Sequence, residues 1–315
     1  MTVMKIMLTG PNGLLGKEII ARSAARSRLS WQLQWGQTPL QLCVVPVGHA
    51  ECDIADAVAV KSVVARLQPD AIINCAVIVS VDRCEADQEQ CVAVNRDGVR
   101  NLLDAMRVVG KPVTFIQISS SEVFGRVQEG EYTINGYTED DVSAPVSAYQ
   151  RTKAEAEEMV KNFAAAHPDA INRFFIARAG WLYGHGRPTF VDQFLEKLRE
   201  PGQLDVIANQ WRSPTWTRYF ADQLFDLMRG DYESGIYHIT NEVDIGEAST
   251  FDVINELSNY IGEANVRAEL VPVKSEAIFS VPRAPSNVIK NTKLPKLPHW
   301  RDALHAYLNE TYPRS

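Results

Sequence analysis

Leu8-Thr-Gly-Pro-Asn-Gly-Leu-Leu-Gly16 is the stretch on which the reading of this chain turns, because it sets Gly10, Gly13 and Gly16 in a G-x-x-G-x-x-G spacing. An apolar run, Met4–Thr9, precedes it, and an amphipathic run, Leu15–Ala25, follows. Glycine at the first positions lets the backbone turn tightly, and glycine at the third lets a helix pack closely on a strand. Amide groups at the start of that helix then face an anion, assisted by the helix dipole. In this strand–loop–helix setting Gly10, Asn12, Gly13, Leu14, Leu15 and Gly16 are expected to cradle the pyrophosphate of a dinucleotide.

Working outward, further Val-, Ile- and Phe-rich runs occur at Leu40–Val47, Asp70–Cys75, Val113–Ser119 and Phe174–Arg178. Amphipathic stretches at Ala55–Leu67, Val92–Val109 and Thr152–Ala166 lie between them. Continuous apolar strands alternating with helices predict an α/β fold whose parallel sheet is covered on both faces. Right-handed crossovers make it a doubly wound, Rossmann-like sheet. After Arg178 the pattern changes, with more Pro and Trp, shorter runs, a late strand at Gly235–Thr240 and a terminal helix near Arg301–Glu310. The expected division is a dinucleotide-binding domain of residues 1–177 and 214–243. Residues 178–213 and 244–315 would form a smaller C-terminal substrate-binding lobe.

The bulk properties narrow the partners. A formal net charge of −7 argues against nucleic acid and anionic membranes. The longest apolar stretch, Ala71–Val81, is too short to span a bilayer and contains Asn74. The apolar start runs straight into the glycine loop and reads as a strand, not a targeting segment. Five cysteines between Cys43 and Cys91, with no C-x-x-C pair, read as buried reduced thiols of a cytoplasmic protein. Six histidines and scattered carboxylates show no metal-ligand spacing, so no metal is expected.

Tyr149-Gln-Arg-Thr-Lys153 supplies the candidate chemistry. Pro145, Ser147 and Gln150 predict a helix start at about Ala148, with Ser147 and Gln150 spaced as a capping box. Tyr149 and Lys153 then share one face, a turn apart. An ammonium beside a phenol favours the phenolate, so the phenol can exchange a proton with a carbonyl oxygen near neutral pH. Upstream, Ser119-Ser-Ser-Glu-Val-Phe-Gly125 ends a strand where a hydroxyl would polarise a carbonyl. From Ile19 to Ala50 the chain has no Asp or Glu. The carboxylate that would hold a ribose 2′-hydroxyl is therefore absent, and Arg22, Arg26, Arg28 and His49 stand nearby. The reading leans to NADP and leaves NAD open.

These motifs together resemble the extended short-chain dehydrogenases, and within them the dTDP-4-dehydrorhamnose reductase family. The resemblance runs over nearly the whole chain. It includes Asp53-Ile54, Pro69–Asn74, Val81–Glu85, Val94-Asn95, Arg178-Ala-Gly-Trp-Leu-Tyr-Gly184, Gln210 with Ser213-Pro-Thr215, Gly235–His238, and Pro285 with Asn287. It implies reduction of a keto group on a nucleotide-linked deoxysugar by NAD(P)H. Ser120 would bind the keto oxygen, Tyr149 would donate the proton, and Lys153 would hold the nicotinamide ribose. Asp53 and Ile54 would border the adenine, while Cys75, Ala76 and Val77 would line the cofactor groove. Ser121, Glu122, Trp181 and Arg212 would meet the nucleotide sugar; Trp181 is equally readable as a core aromatic. Arg178, Arg187 and Arg212 could each meet a diphosphate or make a structural ion pair. Asn95 is read as structural. Assembly as a homodimer is left open.

Two departures stand out. The family usually has an aromatic residue at the position of Glu122, and Ser-Ser-Glu-Val-Phe-Gly is also similar to nucleotide-sugar dehydratases and decarboxylases. An epimerase, dehydratase or decarboxylase that recycles its NAD is thus one alternative. The other is a non-catalytic regulatory subunit similar to that of methionine adenosyltransferase. The second departure is a long segment, Ser27–Pro39, between the first helix and the second strand.

Overall fold

The predicted apolar runs become β1 (Thr2–Thr9), β2 (Leu40–Val47), β3 (Ala71–Asn74), β4 (Val113–Ser120) and β5 (Ile171–Ala179). The computed structural model describes residues 2–28, 40–125 and 135–313. With the strand Gly235–Ile239 these form one six-stranded parallel sheet in the order β2-β1-β3-β4-β5-(Gly235–Ile239). β1 pairs with β2 through Thr2↔Leu40 to Thr9↔Val47, and with β3 through Ile6↔Ala71 to Thr9↔Asn74. The winding direction therefore reverses at β1. A crevice beyond the carboxyl ends of β1 and β3 follows, the position where open α/β sheets take their ligands. All four residues of β3 are buried, as a strand covered on both faces requires.

The chain divides into two compact units. The first comprises Met1–Ser119, Ala148–Ala177 and Leu224–Ile236. Its core joins Met7, Ile72, Phe115 and Ile176 of the sheet to Val60, Val64, Leu102 and Met106 of the covering helices. The helix expected at Val92–Val109 is interrupted. It is Gln88–Val92, then a π-turn at Ala93–Asp97, then Gly98–Met106. The wider turn accompanies a side-chain clamp: Asn95 Oδ1 accepts from Ile78 N at 2.8 Å, and its Nδ2 donates to Ile78 O at 3.0 Å. Asn95 thus holds the loop that leaves β3, in keeping with a structural role.

The cysteine expectation is corrected here. Cys84 and Cys91 are paired as a disulfide, because the short helices Val81–Ala86 and Gln88–Val92 bring their Cα atoms to 5.1 Å. Cys43 is exposed rather than buried, since β2 is an edge strand; Cys52 is buried and Cys75 half-buried.

The second unit comprises Ser120–Ser147, Arg178–Gln223 and Tyr237–Ser315. Short parallel pairs, Trp181–Tyr183 with Pro214–Trp216 and Gly202–Ile207 with Ala268–Val273, lie among the helices Phe190–Arg199, Thr250–Ile261 and Trp300–Thr311. Thr189 with Asp192 and Ser249 with Asp252 form capping boxes at two of these helices. Trp216, Tyr183, Tyr307, Trp300, Ile254 and Leu304 share a core of aromatic and aliphatic side chains. Among the described residues no helix is long and apolar enough to cross a membrane.

Candidate active site

The glycine loop is shaped by contacts that no side chain would permit. Gly10 has φ +62°, in the left-handed region, and a Cβ there would lie 2.7 Å from the carbonyl of Cys75 and 2.8 Å from Ala76 N. A Cβ on Gly16 would collide with the Gly10 carbonyl oxygen and lie 2.8 Å from Pro11 Cα. Gly13 N donates to Gly10 O at 3.1 Å, closing the turn just before the helix Leu14–Arg28. That helix has no acidic residue in its first turn, so nothing opposes its positive end. The close backbone approach and a helix N-terminus without an acidic first turn together fit a dinucleotide pyrophosphate. Leu14 and Leu15 are buried against the core, while Asn12 is exposed and its amide lies near Gly48, at the exit of β2.

At the strand ends, buried polar groups satisfy one another in a row. Thr9 Oγ1 donates to Asn74 Oδ1 at 2.6 Å, Asn74 Nδ2 to Gln117 Oε1 at 2.9 Å, and Gln117 Nε2 to Ile118 O at 2.9 Å. Ala76 N meets both Thr9 Oγ1 and Asn74 Oδ1 at 3.3 Å, which fixes the loop Cys75–Val77 over the crevice. The row ends at Lys153, whose Nζ donates to Ile118 O at 2.6 Å. Burial lowers the Lys153 pKa to about 8, against the pull of Glu157 and Cys75. Burial also pushes the Cys75 thiol up to about 12.

Tyr149 and Lys153 occupy the first turns of the helix Ala148–Ala166, which begins at the predicted residue. The Ala148 amide donates to Glu85 Oε2 at 2.8 Å. Tyr149 is 7% exposed and packs with Cys84, Cys91, Val77 and Ile78. Tyr149 and Lys153 thus lie one turn apart on one helix, the spacing at which a phenol and an ammonium can act together.

The three serines after Ile118 have different surroundings. Ser119 Oγ donates inward to Glu157 Oε1 at 2.5 Å, and Ser121 is buried at the start of a 3₁₀ turn. Ser120 is half-buried at the carboxyl end of β4, its Oγ accepting from Glu122 N at 3.2 Å. It is therefore the hydroxyl of the run best placed to meet a ligand.

Glu122 does not stand alone in solvent. Its Oε1 accepts from Arg212 Nη1 at 2.8 Å and from Asn287 Nδ2 at 2.7 Å, and Arg212 Nη2 donates to Gln210 Oε1 at 3.0 Å. Gln210 Nε2 is buried and has no acceptor among the described residues. The Arg212 guanidinium lies 5.9 Å from the ring centre of Trp181, which stacks on Phe190 at 3.5 Å. Trp181 is half-buried and packs against the core of its unit.

The remaining candidates fall in three settings. Arg178 is fully buried against Ser143, His238 and the Phe124 ring, a structural placement that removes it from diphosphate contact. Arg187 is exposed. Asp53 accepts from Ala55 N and pairs loosely with His49 at 3.7 Å, whereas the Ile54 side chain is in the core against Gly98. The side chains of Arg26 and Arg28 and the segment 29–39 lie outside the described residues. The fold also gathers Asp244, Glu247 and His299, with ligand atoms within 4.8 Å of one another; Arg301 and Trp300 already donate to Glu247. Sequence reasoning passed over Gln210, Asn287 and Glu157 as functional groups. Gln210 and Asn287 stood in the blocks that carry the resemblance, and Glu157 had its spacing of four from Lys153.

A pyrophosphate cradle at a sheet's switch point occurs in many nucleotide enzymes. One with a tyrosine and a buried lysine a helical turn apart beside it defines an NAD(P)-dependent oxidoreductase of the extended short-chain dehydrogenase type. A family model for the RmlD substrate binding domain matches residues 4–312. A dTDP-4-dehydrorhamnose reductase of Mycolicibacterium smegmatis is 32% identical over 307 residues, covering 95% of this chain and 84% of that protein. A dTDP-4-keto-6-deoxy-D-glucose reductase of Streptomyces niveus is 29% identical, covering 95% and 94%. The crystal structure of a Bacillus anthracis dTDP-4-dehydrorhamnose reductase in complex with NADP superposes with a TM-score of 0.80 at 26% identity, covering 99% of this chain and all of that one. The chain belongs to the dTDP-4-dehydrorhamnose reductase family.

Proposed function

We propose that this protein reduces the keto group of a dTDP-linked 4-keto-6-deoxyhexose, with NADP(H) or NAD(H) as its dinucleotide. The observation that carries the reading is the buried row from Thr9 to Lys153, which delivers an ammonium beside the glycine cradle one helical turn from the Tyr149 phenol. Gly10, Gly13, Gly16 and the loop Cys75–Val77 hold the dinucleotide, and Lys153 its nicotinamide ribose. When bound, the reduced cofactor supplies the hydride. The Ser120 hydroxyl donates a hydrogen bond to the keto oxygen, and the Tyr149 phenol gives that oxygen its proton as the alkoxide forms. The nearby ammonium stabilises the phenolate left behind.

The reductases among its relatives favour reduction over the recycling alternative, and Glu122 has another use in this reading. One of its oxygens already accepts two hydrogen bonds, from Arg212 and Asn287, so the carboxylate is tied in place. Glu122 and Arg212 form a charge-balanced acceptor–donor couple that suits neutral sugar hydroxyls better than a diphosphate.

The test mixes the protein with NADPH and a dTDP-4-keto-6-deoxyhexose and follows absorbance of the reduced cofactor. Stoichiometric consumption is expected. Tightly copurifying NAD without consumption would overturn the reading in favour of an epimerase or lyase. A stable complex with another protein and no turnover would favour a regulatory role.

A further inference from the structure

The chemistry above leaves unused a buried carboxylate on the helix of Tyr149 and Lys153. Glu157 follows Lys153 by four residues, as Lys153 follows Tyr149, so three side chains share a stripe of the helix Ala148–Ala166. Glu157 is 2% exposed and Lys153 3% exposed. A carboxylate so buried persists only against donors or positive charge. Successive residues of β4 anchor this stripe: the Ile118 carbonyl takes the Lys153 ammonium at 2.6 Å, and the Ser119 hydroxyl donates to Glu157 at 2.5 Å.

We propose that Glu157 is a positioning residue for the reduction, the buried counter-charge that keeps Lys153 protonated and directed at the end of β4. The kinetic consequence rests on the reductase reading, but the electrostatics belong to the free protein. Lys153 meets the Ile118 carbonyl of β4 and feels Glu157 from its own helix and Cys75 from the loop after β3. Cys75 has its thiol pushed up to about 12 by burial and stays neutral at working pH. Burial draws Lys153 down to about 8, and Glu157 is the leading charge opposing that fall. Without the carboxylate, desolvation acts almost unopposed.

The experiment labels lysine side chains with ¹³C at Cε and titrates the unliganded full-length protein by NMR, assigning Lys153 by its absence in Lys153→Met. In Glu157→Gln the Lys153 midpoint is expected to fall by about one pH unit or more. The alkaline limb of kcat and the pH above which NADPH binding weakens should move down with it. Glu157→Asp should recover most of the shift. An unmoved midpoint in folded Glu157→Gln overturns the proposal. Should that variant fail to fold, Ser119→Ala removes the anchor and keeps the charge. A fall of about half a unit there supports the proposal, and no change contradicts it. A lowered midpoint in a protein without turnover would discard the reductase reading and retain this inference. Turnover with an unmoved midpoint would do the reverse.

Discussion

The two units bury charge in different ways. At the sheet ends of the first, Lys153 leans on the Ile118 carbonyl and Asn95 on both polar groups of Ile78, while Thr9, Asn74 and Gln117 bond one another as well as nearby backbone. In the second, the cluster around Glu122 leans on side chains far away in sequence. Glu122 meets Arg212 across 90 positions and Asn287 across 165, and Glu139 holds Thr292 across 153. A group braced by backbone keeps its partner when neighbours change. A group braced by another side chain is left unpaired when that side chain is removed.

The largest test of this contrast is Tyr149→Phe, which removes a proton donor and leaves its packing. Turnover is expected to fall about a thousandfold while the NADPH dissociation constant stays within about threefold. Retained activity would mean that the backbone-braced stripe is scaffolding alone.

Gly10→Ala comes next. A methyl group there meets the Cys75–Ala76 backbone in a left-handed conformation, and backbone cannot swing aside. The expected loss is about 2–4 kcal/mol of stability, with NADPH affinity down at least about tenfold. Chemical denaturation and fluorescence titration read the two.

Lys153→Met should abolish turnover and leave a stability difference from the parent that depends on pH. The folded-state pKa of Lys153 lies below its unfolded value, so the unfolded chain binds more protons between about pH 8 and 10.5. The burial penalty is therefore full below pH 8 and is relieved as pH rises through that window. The variant lacks that rise, and the Glu157 carboxylate it leaves without a counter-charge offsets the penalty removed, so it should lose about 1–3 kcal/mol relative to the parent between pH 8 and pH 10.5. A difference independent of pH would show that packing, not charge, is responsible.

Glu122→Leu is the smallest expected effect and the most diagnostic for the second unit. It leaves Arg212 without its carboxylate, at a cost of about 1–2 kcal/mol for a pair that retains some solvent contact. Turnover should remain within about tenfold with KM raised. A thousandfold loss in turnover would return Glu122 to the role of a base.

The same contrast explains what could be read from the chain. β2 and the start of the Tyr149 helix were legible to the residue, because period, glycine spacing and capping signals are local. The break in the helix at Ala93–Asp97 was not, because Asn95 departs from a regular turn to reach a loop 17 positions upstream. Nor was the Cys84–Cys91 pairing, since it depends on how two short helices fold back. In the second unit the short strands Trp181–Tyr183 and Pro214–Trp216 leave too few residues for any period to register. Its polar cluster was half visible. Glu122 and Arg212 stood out as candidates, but only the fold makes them partners.

The most direct measurement uses NADPH carrying deuterium at the transferable position, supplied in one equivalent with a dTDP-4-keto-6-deoxyhexose. One deuterium on the reduced sugar carbon for each cofactor oxidised, abolished in Tyr149→Phe, is the predicted result. Deuterium remaining on the cofactor, or an oxidised cofactor converting the sugar without net loss, would contradict it.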